Sequence, residues 1–564
     1  MGMGRVRRAK IVATLGPSSN TVEMIEKLIT AGINVARVNM SHGTHEAHAQ
    51  LISNIRQASK NLGREIAILI DLQGPKIRTD KLPNGLQLEK GQTWVIGPSS
   101  KQEDYPEYKD CYIPTIYEKL VDDCHDGARI LFDDGKLIAK ATTRDRDVYK
   151  IEVIVGGELK SNKGINLPDC EVSAPAFTEK DEADLMFALK HNIDYIALSF
   201  VRKKEDIQTV KALLHKLKVR VPIVSKIEKP QALDNIEEIL DITDVIMVAR
   251  GDMGVEVGNH LVPSIQKELI QKCNDRMIPV ITATQMLESM TDAPTPTRAE
   301  ASDVANAIWD GTDAVMLSGE SASGMYPVET VTMMSNIIYE AEKTPKERPL
   351  LRNIDLSSVN SSVMVAASMI AEKVEAKRIL AVTEGGNSCR KVSMFRPQTP
   401  VAGVTHNLRT ARRICLYWGV YPYLVEEEVQ DTGSYVKYIV NHAKEKMGLF
   451  NGDKIVVTLG DGKIFSKGYS NSVKVEIIKQ AKHHEESGEE PFDIAEDKKK
   501  RILLDHNICS TCQNCVSICP HEIWQADKKT KLTKLNKDNI KHCTLDYECI
   551  RVCPTGAIEI IEKS

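Results

Sequence analysis

The sequence predicts an α/β protein whose largest unit is a (β/α)8 TIM barrel. Between residues 10 and 320, eight short runs rich in β-branched residues alternate with amphipathic stretches whose apolar residues recur at helical spacing. Each run ends in polar residues, and eight strand–helix pairs are typical of a closed parallel barrel. The predicted strands are KIVATLGP, NVARVNMS, IAILIDLQ, YIALSFV, PIVSKIE, VIMVARGD, PVITATQ and AVMLSGE.

The rest of the chain divides into an insertion and three C-terminal segments. The insertion follows the third strand and is rich in Gly, Pro and alternating patterns such as KIEVIVGGELK, which predicts a β-rich lid domain. Later, the α/β alternation restarts and predicts a doubly wound α/β C domain, followed by a charged, solvated linker and a small cysteine-rich module. The predicted boundaries are 1–72 and 169–344 for the barrel, 73–168 for the lid, 345–480 for the C domain, 481–501 for the linker and 502–564 for the module.

Composition narrows the class of protein. Lysine plus arginine number 74 and aspartate plus glutamate 78, a net charge of −4, so no basic surface for nucleic acid is predicted. No apolar run approaches the roughly 18 residues of a membrane span, and the amino terminus lacks the apolar stretch of a secretory signal. We therefore expect a cytoplasmic protein without a membrane or nucleic-acid partner.

Polar residues at the predicted strand ends indicate phosphoryl chemistry. In barrels of this type the reacting groups lie at the carboxyl ends of the strands. Two carboxylates there favour a divalent cation such as Mg²⁺, and a lysine with arginines would neutralise an anionic, phosphate-bearing substrate. The strand-end residues are Arg37, Asn39, Ser41, Asp71, Lys226, Glu228, Arg250, Asp252 and Thr284.

Long motifs in the same region resemble the pyruvate kinase family, in family order, from about residue 5 to residue 480. They are ATLGPSS, RVNMSHG, DLQGPKIRT, NKGINLP, SKIE, ARGDMGVE, TATQMLESM and PTPTRAEASDVANAIWDGTDAVMLSGESA. The resemblance implies a barrel, a lid and an effector-binding C domain in a homotetramer. It also implies the reaction of glycolysis in which phosphoenolpyruvate and ADP give pyruvate and ATP with Mg²⁺.

The resemblance also implies roles for individual residues. Whether the proton that the enolate needs comes through Thr284 or through water stays open. Glu228 and Asp252 would bind Mg²⁺, and Lys226 would stabilise the transferring phosphoryl group. The residues implied to bind phosphoenolpyruvate are Arg37, Lys226, Gly251, Asp252 and Thr284, of which Lys226, Arg37 and Thr284 are implied to be catalytic. The residues implied to bind the nucleotide are Asn39, His42, Arg78 and Lys163.

One departure from the family pattern predicts independence from K⁺. Many members hold K⁺ at the positions that match Asn39, Ser41, Asp71 and Leu72, and have a glutamate where this chain has Lys76. A lysine ammonium can supply the positive charge that the monovalent cation provides elsewhere. The alternative is that Lys76 faces solvent and has no such role.

The C domain contains a candidate effector site. The stretch TEGGNS, from Thr383 to Ser388, follows a predicted strand and precedes a helix, where backbone amides and hydroxyls can hold a phosphate. The family resemblance implies a sugar-phosphate or nucleotide effector. A tight turn without a ligand is the alternative.

The C-terminal cysteines resemble those of bacterial-type two-cluster ferredoxins. Seven of the thirteen cysteines lie after residue 508, which in a reducing compartment indicates metal rather than disulfides. The run Cys-x-x-Cys-x-x-Cys-x-x-x-Cys-Pro is the ferredoxin pattern, in which the fourth cysteine binds the other cluster. Zinc is the alternative, although structural zinc favours two separated pairs. The resemblance implies a 4Fe-4S cluster on Cys509, Cys512, Cys515 and Cys553.

A second cluster site differs at one ligand. Its implied ligands are Cys519, Cys543, Asp546 and Cys549, with Asp546 where a cysteine is expected. Carboxylate binds iron less tightly than thiolate, so the site could hold 4Fe-4S or 3Fe-4S. The alternative is a single cluster and a solvated Asp546.

The sequence leaves the role of this small α+β, ferredoxin-like module open. A redox sensor would change kinase activity, an electron carrier would dock a redox partner that oxidises pyruvate, and a structural module would aid assembly. An alternative function for the whole chain is electron transfer to a partner that oxidises pyruvate, with the barrel of secondary importance.

Overall fold

A closed barrel of eight parallel strands forms the first and largest part of the molecule, as the sequence predicts. The computed structural model describes residues 7–344, 356–425, 436, 438–440, 447–450, 452–460, 470–478, 492–506, 509, 513–527, 533–545, 547–553 and 557–563. Numbered in chain order, the barrel strands are β1 (Lys10–Thr14), β2 (Val35–Asn39), β3 (Ala67–Asp71), β12 (Tyr195–Leu198), β13 (Ile223–Ile227), β14 (Val245–Ala249), β15 (Val280–Ala283) and β16 (Ala314–Leu317).

Amphipathic helices cover the outside of the barrel. Some of them begin at a threonine cap, as at Thr178 and Thr297, where the hydroxyl accepts a backbone N–H and an acidic side chain three residues later accepts the threonine N–H. The helices are α1 (Val22–Ala31), α2 (His45–Leu62), α4 (Glu179–Leu189), α5 (Lys204–Lys216), α6 (Pro230–Asp234), α7 (Ile236–Ile242), α8 (Arg250–Val257), α9 (Val262–Asp275), α10 (Arg298–Asp310), α11 (Gly319–Ala322) and α12 (Pro327–Ala341).

Strand residues alternate between two buried layers. In β3, Ala67 and Leu69 pack inside the barrel, whereas Ile68 and Ile70 pack against the helices. Because side chains alternate along a strand, the residue two beyond an interior one also faces inward. This parity directs the last residue of β3, Asp71, to the interior of the barrel's carboxyl end.

The inserted β-rich domain lies between β3 and α4. Its sheets have the order β11-β7-β8-β9-β5-β6 and β10-β4 around a main hydrophobic core, with a smaller cluster of Val95, Tyr105, Tyr112 and Val148 beside it. The chain enters it through Gly74, whose φ is 68° and where a Cβ would lie 2.8 Å from the Phe200 ring. Its elements are β4 (Leu86–Leu88), β5 (Thr93–Pro98), β6 (Tyr112–Thr115), α3 (Leu120–Asp123), β7 (Arg129–Phe132), β8 (Leu137–Asp145), β9 (Val148–Val155), β10 (Gly157–Leu159) and β11 (Ile165–Asn166).

The next domain is a five-stranded sheet in the order β19-β18-β17-β20-β21, parallel except for β21. Strand β19 has the sequence VYPYL, which contains a proline and is only partly buried, and it lies at the edge of the sheet, where a proline is tolerated. The elements are α13 (Val359–Lys373), β17 (Arg378–Val382), α14 (Asn387–Met394), β18 (Val401–Thr405), α15 (Leu408–Arg413), β19 (Val420–Leu424), β20 (Lys454–Leu459) and β21 (Ser472–Ile477).

This domain closes the amino end of the barrel. Cys415 and Leu416 join the core of the barrel interior, and the Lys10 Nζ donates a hydrogen bond to the Val420 carbonyl at 2.5 Å. Arg396 pairs with the buried Asp313 at 2.6 Å. The inserted domain follows the carboxyl end of β3, so it lies at the opposite, carboxyl end of the barrel.

The C-terminal part has a three-stranded sheet, β22-β23-β26, and a hairpin, β24-β25. Strand β22 lies inside the predicted linker 481–501, so that linker extends too far. Its charged residues hide the strand pattern, but β22 pairs with β23, and its Ala495 is buried in the module's core. The elements are β22 (Phe492–Glu496), β23 (Lys500–Asp505), α16 (Asn514–Ile518), β24 (Trp524–Ala526), β25 (Thr533–Leu535), α17 (Glu548–Val552) and β26 (Ile558–Glu562).

Candidate active site

Three charged residues converge because they share the interior parity of their strands. Arg37, Asp71 and Lys226 each lie two residues after an interior residue of β2, β3 or β13. Arg37 Nε donates to Asp71 Oδ2 at 2.6 Å, and Lys226 Nζ lies 3.3 Å from Asp71 Oδ1. The carboxyl end of the barrel thus holds two cations on one buried carboxylate.

Lys226 lies at the centre of this network. Its ammonium is 3.1 Å from Glu228 Oε1 and donates to the Ser199 hydroxyl at 2.8 Å. Ser199 in turn donates to the Leu72 carbonyl at 2.7 Å, and Glu228 Oε2 accepts the Phe200 backbone N–H at 2.7 Å. These contacts hold the lysine in one orientation, with only 12% of its side chain exposed.

The neighbouring carboxylates keep Lys226 charged. Burial opposes the ammonium form, but Asp71 and Glu228 outweigh it and raise the pKa of Lys226. Burial likewise opposes ionisation of Asp71, yet Lys226 and Arg37 lower its pKa. For comparison, burial lowers the pKa of Lys10, at the other end of the barrel, to about 7. A fixed positive charge at Lys226 suits an anionic substrate.

Gly251, Asp252 and Thr284 form the opposite wall of this end. The Gly251 N–H donates to the Thr284 hydroxyl at 2.8 Å, and Thr284 has a φ of 68°. The Arg250 guanidinium bonds the Thr284 carbonyl at 2.7 Å and pairs with Asp303 at 2.8 Å. Arg250 therefore supports the strained loop after β15, and Asp252 lies in the first turn of α8.

The two predicted magnesium ligands fit a hard divalent cation. Glu228 is fully buried; its Oε1 lies 3.1 Å from the Lys226 ammonium without hydrogen-bond geometry and accepts no other hydrogen bond within the described part of the chain. Burial raises the pKa of Glu228, and the negative charge of Asp252 raises it further, against the lowering effect of Lys226. Among the described residues no three His, Cys, Asp or Glu side chains group as a metal site. Mg²⁺ commonly uses one or two carboxylates with waters and substrate oxygens, which this pair can provide.

The predicted nucleotide residues divide between the barrel and the inserted domain. Arg78 donates to the Asn162 carbonyl at 2.9 Å, and Lys163 pairs with Asp133 at 2.8 Å. Asn39 Oδ1 accepts the Ser41 N–H at 3.1 Å at the end of β2, and His42 follows in the same loop. These groups therefore lie on both sides of the junction between the barrel and the inserted domain.

Protein donors contact three of the four positions predicted for a monovalent cation. Asn39 Oδ1 accepts from Ser41, Asp71 binds Arg37 and Lys226, and the Leu72 carbonyl accepts from Ser199. Lys76 lies on the side of the inserted domain, where it lines a cavity with Asp252, Asn166 and Phe200.

The hydroxyls of the predicted effector loop bond within the C domain. Thr383 accepts the Gly386 N–H at 2.9 Å, and Ser388 lies 2.8 Å from the Ser470 hydroxyl. Thr383 and Ser388 are both buried. The loop does precede a helix, α14, but its side chains are already engaged.

The C-terminal cysteines lie in one hydrophobic core with a repeated backbone pattern. Gln513 and Tyr547, which precede α16 and α17, have φ of 60° and 58°, and Cys519 and Cys553, which follow these helices, have φ of −81° and −74°. Cys512 and Asp546 lie outside the described residues. The described cysteines of this core are Cys509, Cys515, Cys519, Cys543, Cys549 and Cys553.

Three of these cysteines line a single cavity. Cys519, Cys543 and Cys549 surround about 360 Å³ of space, part of it open to solvent, together with Trp524. Burial raises the pKa of Cys549 to about 11, against the opposing effect of the nearby Trp524 indole N–H. That indole nitrogen is buried and meets no acceptor with hydrogen-bond geometry among the described residues.

A cationic cleft with two carboxylates at the carboxyl end of a (β/α)8 barrel defines an enzyme for an anionic substrate. Residues 6–331 match the family model "Pyruvate kinase, barrel domain" and residues 361–476 match "Pyruvate kinase, alpha/beta domain". The chain belongs to the pyruvate kinase family and is a phosphotransferase.

Individual relatives agree with this assignment. Pyruvate kinase of Staphylococcus epidermidis is 44% identical over 480 residues, which are 84% of this chain and 81% of that protein. The Staphylococcus aureus enzyme is 43% identical over the same length. A crystal structure of a pyruvate kinase from Cryptosporidium parvum superposes with a TM-score of 0.78 at 34% identity, covering 84% of this chain and 96% of that one. No helix among the described residues is long and apolar enough to cross a bilayer.

Sequence reasoning missed residues that only side-chain contacts reveal. Ser199 links Lys226 to the Leu72 carbonyl, and Thr14 accepts from Arg37 at 2.8 Å. Serine and threonine are too common for either to stand out. Their strand-end positions were the available signal, since Ser199 directly follows β12 and Thr14 ends β1.

Proposed function

We propose that this protein transfers a phosphoryl group from phosphoenolpyruvate to ADP, giving pyruvate and ATP. The observation that carries the proposal is the buried Lys226 network, in which a fixed ammonium and Arg37 share Asp71 beside the carboxylate of Glu228. Such an arrangement stabilises an anion whose charge grows in the transition state.

Each step of the reaction has a candidate group. Arg37 and Lys226 hold the substrate phosphate, and Lys226 neutralises the phosphoryl group as its P–O bond to the enolate breaks and a bond to an ADP oxygen forms. Glu228 and Asp252 would hold Mg²⁺, which supplies charge neutralisation and orients the phosphate oxygens. The enolate then takes a proton at carbon. Thr284 accepts from Gly251, so its own hydroxyl proton can serve this step directly or through water.

Closure of the inserted domain would complete the site. Arg78 and Lys163 lie on that domain and carry the cations predicted to contact the nucleotide. Closure would bring them to ADP and exclude water from the transferring group, which protects it from hydrolysis.

Steady-state kinetics of the anaerobically purified protein tests the proposal. Pyruvate formation is measured against phosphoenolpyruvate concentration at fixed ADP and Mg²⁺, without K⁺, first with the C-terminal module oxidised and then reduced. We expect saturable pyruvate formation in both states. Absence of pyruvate in both, even after K⁺ is added, would reject the function.

We expect activity without K⁺, and we expect Lys76→Glu to create a K⁺ requirement. Lys76 is exposed and lines a cavity with Asp252, so its charge would act on a substrate phosphate bound at Asp252. Replacing it by a carboxylate removes that charge, and we expect about tenfold or greater stimulation of the variant by K⁺. The wild type should respond less than twofold. Equal responses of the two proteins to K⁺ would contradict the role of Lys76.

We further propose that the C-terminal module binds two iron–sulfur clusters. The same backbone angles around α16 and α17, one core containing six cysteines, and a cavity lined by Cys519, Cys543 and Cys549 support a pseudo-symmetric ferredoxin-like module. When bound, the clusters would supply one-electron chemistry. The buried Trp524 N–H beside Cys549 also fits, because thiolate or sulfide would accept its hydrogen bond.

The predicted functions of this module lead to different results in the same assay. A shift of the phosphoenolpyruvate curve between oxidised and reduced protein would make it a redox sensor. Superimposed active curves would favour electron transfer to a partner, and a change in melting or oligomer size on cluster loss would favour a structural role. The alternative function, an electron-transfer protein with a secondary barrel, predicts no pyruvate.

A homotetramer and a phosphate effector are the remaining proposals for this chain. Strand β21 is an edge strand of its sheet and exposes Val475 and Ile477, a surface that suits pairing with a second copy. The loop from Thr383 to Ser388 precedes α14 and offers backbone amides rather than free hydroxyls.

A further inference from the structure

Asn166, Lys229 and Glu256 meet in a buried group that we name the hinge cluster. The Glu256 Oε1 accepts a hydrogen bond from Asn166 Nδ2 at 2.7 Å and from Lys229 Nζ at 2.5 Å. The Glu256 side chain is fully buried, and 11% of the Lys229 side chain is exposed. One carboxylate oxygen therefore joins three segments of the chain.

The proposed reaction depends on the relative position of these three segments. Asn166 ends β11, the last strand of the inserted domain. Lys229 directly follows Glu228, and Glu256 lies one helical turn after Asp252 on α8. The hinge cluster thus bonds the inserted domain through Asn166, and short stretches of backbone connect it to both predicted magnesium ligands.

The strand that carries Asn166 also positions the predicted nucleotide groups. Gly164, two residues earlier, forms a β-bridge with Arg78, and the Lys163 N–H donates to the Thr79 hydroxyl at 2.9 Å. A shift of β11 relative to α8 would move Arg78 and Lys163 together. Misplacement by about 1 Å can cost about 10²-fold in rate.

The ion pair within the cluster makes the connection rigid. Lys229 and Glu256 are both removed from water, so separating them would leave an unpaired charge in a buried site. The Lys229 ammonium also lies 5.9 Å from the Phe200 ring, and the Phe200 N–H donates to Glu228. Glu256 Oε2 accepts no hydrogen bond within the described residues, so Oε1 alone carries both contacts.

We propose that Glu256 is a positioning residue that couples the inserted domain to the magnesium ligands Glu228 and Asp252. This inference rests on the proposed function and names a structural connection that the reaction uses. Glu256 contacts neither substrate. It acts by fixing Asn166 and Lys229, and hence the distance between the nucleotide groups of the inserted domain and the metal ligands of the barrel.

Asn166→Ala tests the coupling most directly, because it removes the contact of the inserted domain and leaves the buried ion pair intact. We expect kcat/KM for ADP to fall about tenfold, with the dissociation constant of phosphoenolpyruvate and Mg²⁺, measured without ADP, within twofold of wild type. Hydrogen exchange of the amides of residues 157–166 should be faster. Unchanged ADP kinetics and exchange would overturn the proposal, as would an equal loss for both substrates.

Exchanging the amide of Asn166 and the carboxylate of Glu256 distinguishes a loss of coupling from a general loss of stability. Glu256→Gln removes the partner of Lys229, and Asn166→Asp places two carboxylates in contact, so each single variant should lose about tenfold or more in kcat/KM for ADP. The double variant restores one amide, one carboxylate and the charge balance, and should recover to within about threefold of wild type. A double variant as impaired as the worse single one would reject the coupling.

Asp194→Asn is the matched control. Asp194 is a buried carboxylate paired with Arg56 at 2.7 Å, at the amino end of β12 and far from the cleft. We expect a lower melting temperature, unchanged kcat/KM for ADP and unchanged exchange in residues 157–166. If the wild type forms no pyruvate, the proposed function fails, whereas faster exchange in Asn166→Ala alone would still support the connection.

Discussion

Lys226→Met is expected to lower kcat for pyruvate formation by about 10³-fold or more. The variant removes an ammonium that contacts both Asp71 and Glu228, at 3.3 and 3.1 Å, in a site shielded from bulk water. In such a site a fixed charge stabilises the transferring phosphoryl group far more than it would in water, and loss of a comparable cation in other phosphotransferases costs about 10³ to 10⁵. The measurement is kcat at saturating phosphoenolpyruvate, ADP and Mg²⁺.

The charge, and not merely the bulk of the side chain, should carry this effect. Lys226→Met leaves the buried Glu228 without a cationic partner and Asp71 with Arg37 alone, which also destabilises the fold, so circular dichroism and melting must accompany the kinetics. Lys10→Met is the matched control, since Lys10 is a buried barrel lysine at the opposite end that donates to the Val420 carbonyl and lies over the Tyr421 ring. We expect Lys10→Met to keep kcat within about threefold. A folded Lys226→Met protein with a tenth or more of wild-type kcat would show that the site works differently.

Cys553→Ser is expected to remove the first iron–sulfur cluster. The cysteine follows α17, at the far end of the module's sequence from Cys509 and Cys515, yet it packs in the same core. Serine offers a harder oxygen ligand that holds iron more weakly than thiolate. We expect the iron content of anaerobically purified protein to fall by about four atoms per chain, with loss of the corresponding signal in electron paramagnetic resonance.

Asp546→Cys and Cys111→Ser complete this test. If the second site is a 3Fe-4S centre with a carboxylate at the fourth position, Asp546→Cys should add about one iron per chain. Cys111→Ser changes a cysteine of the inserted domain and should leave the iron content unchanged. Wild-type protein with zinc instead of iron, or Cys553→Ser protein with full iron content, would contradict the proposed clusters.

These two experiments address separate parts of the chain. The family models match residues 6–331 and 361–476, so the kinase assignment does not depend on the C-terminal module. A protein that makes pyruvate but binds no iron would keep the first proposal and lose the second. A protein that binds iron but makes no pyruvate would keep the iron–sulfur proposal and lose the kinase proposal.

The sequence by itself determined the barrel and the interior position of most of the residues proposed to react. Alternating apolar residues specify which face of each strand is buried, and eight strand–helix pairs leave one closed arrangement. The same alternation directs Arg37, Asp71 and Lys226 inward at the ends of their strands. Those residues could be identified because each carries a charge at a position where the alternation of the strand predicts an interior side chain.

Only the tertiary structure decided which side chains meet across segments distant in sequence. Ser199 bridges Lys226 and Leu72, and Glu256 joins Asn166 to Lys229 across 90 and 27 positions of the chain. Strand β22 likewise forms in a charged stretch because β23 supplies its hydrogen bonds. Periodicity reports whether a residue is buried but not which residue it contacts, because the contact depends on how separate strands and loops pack together.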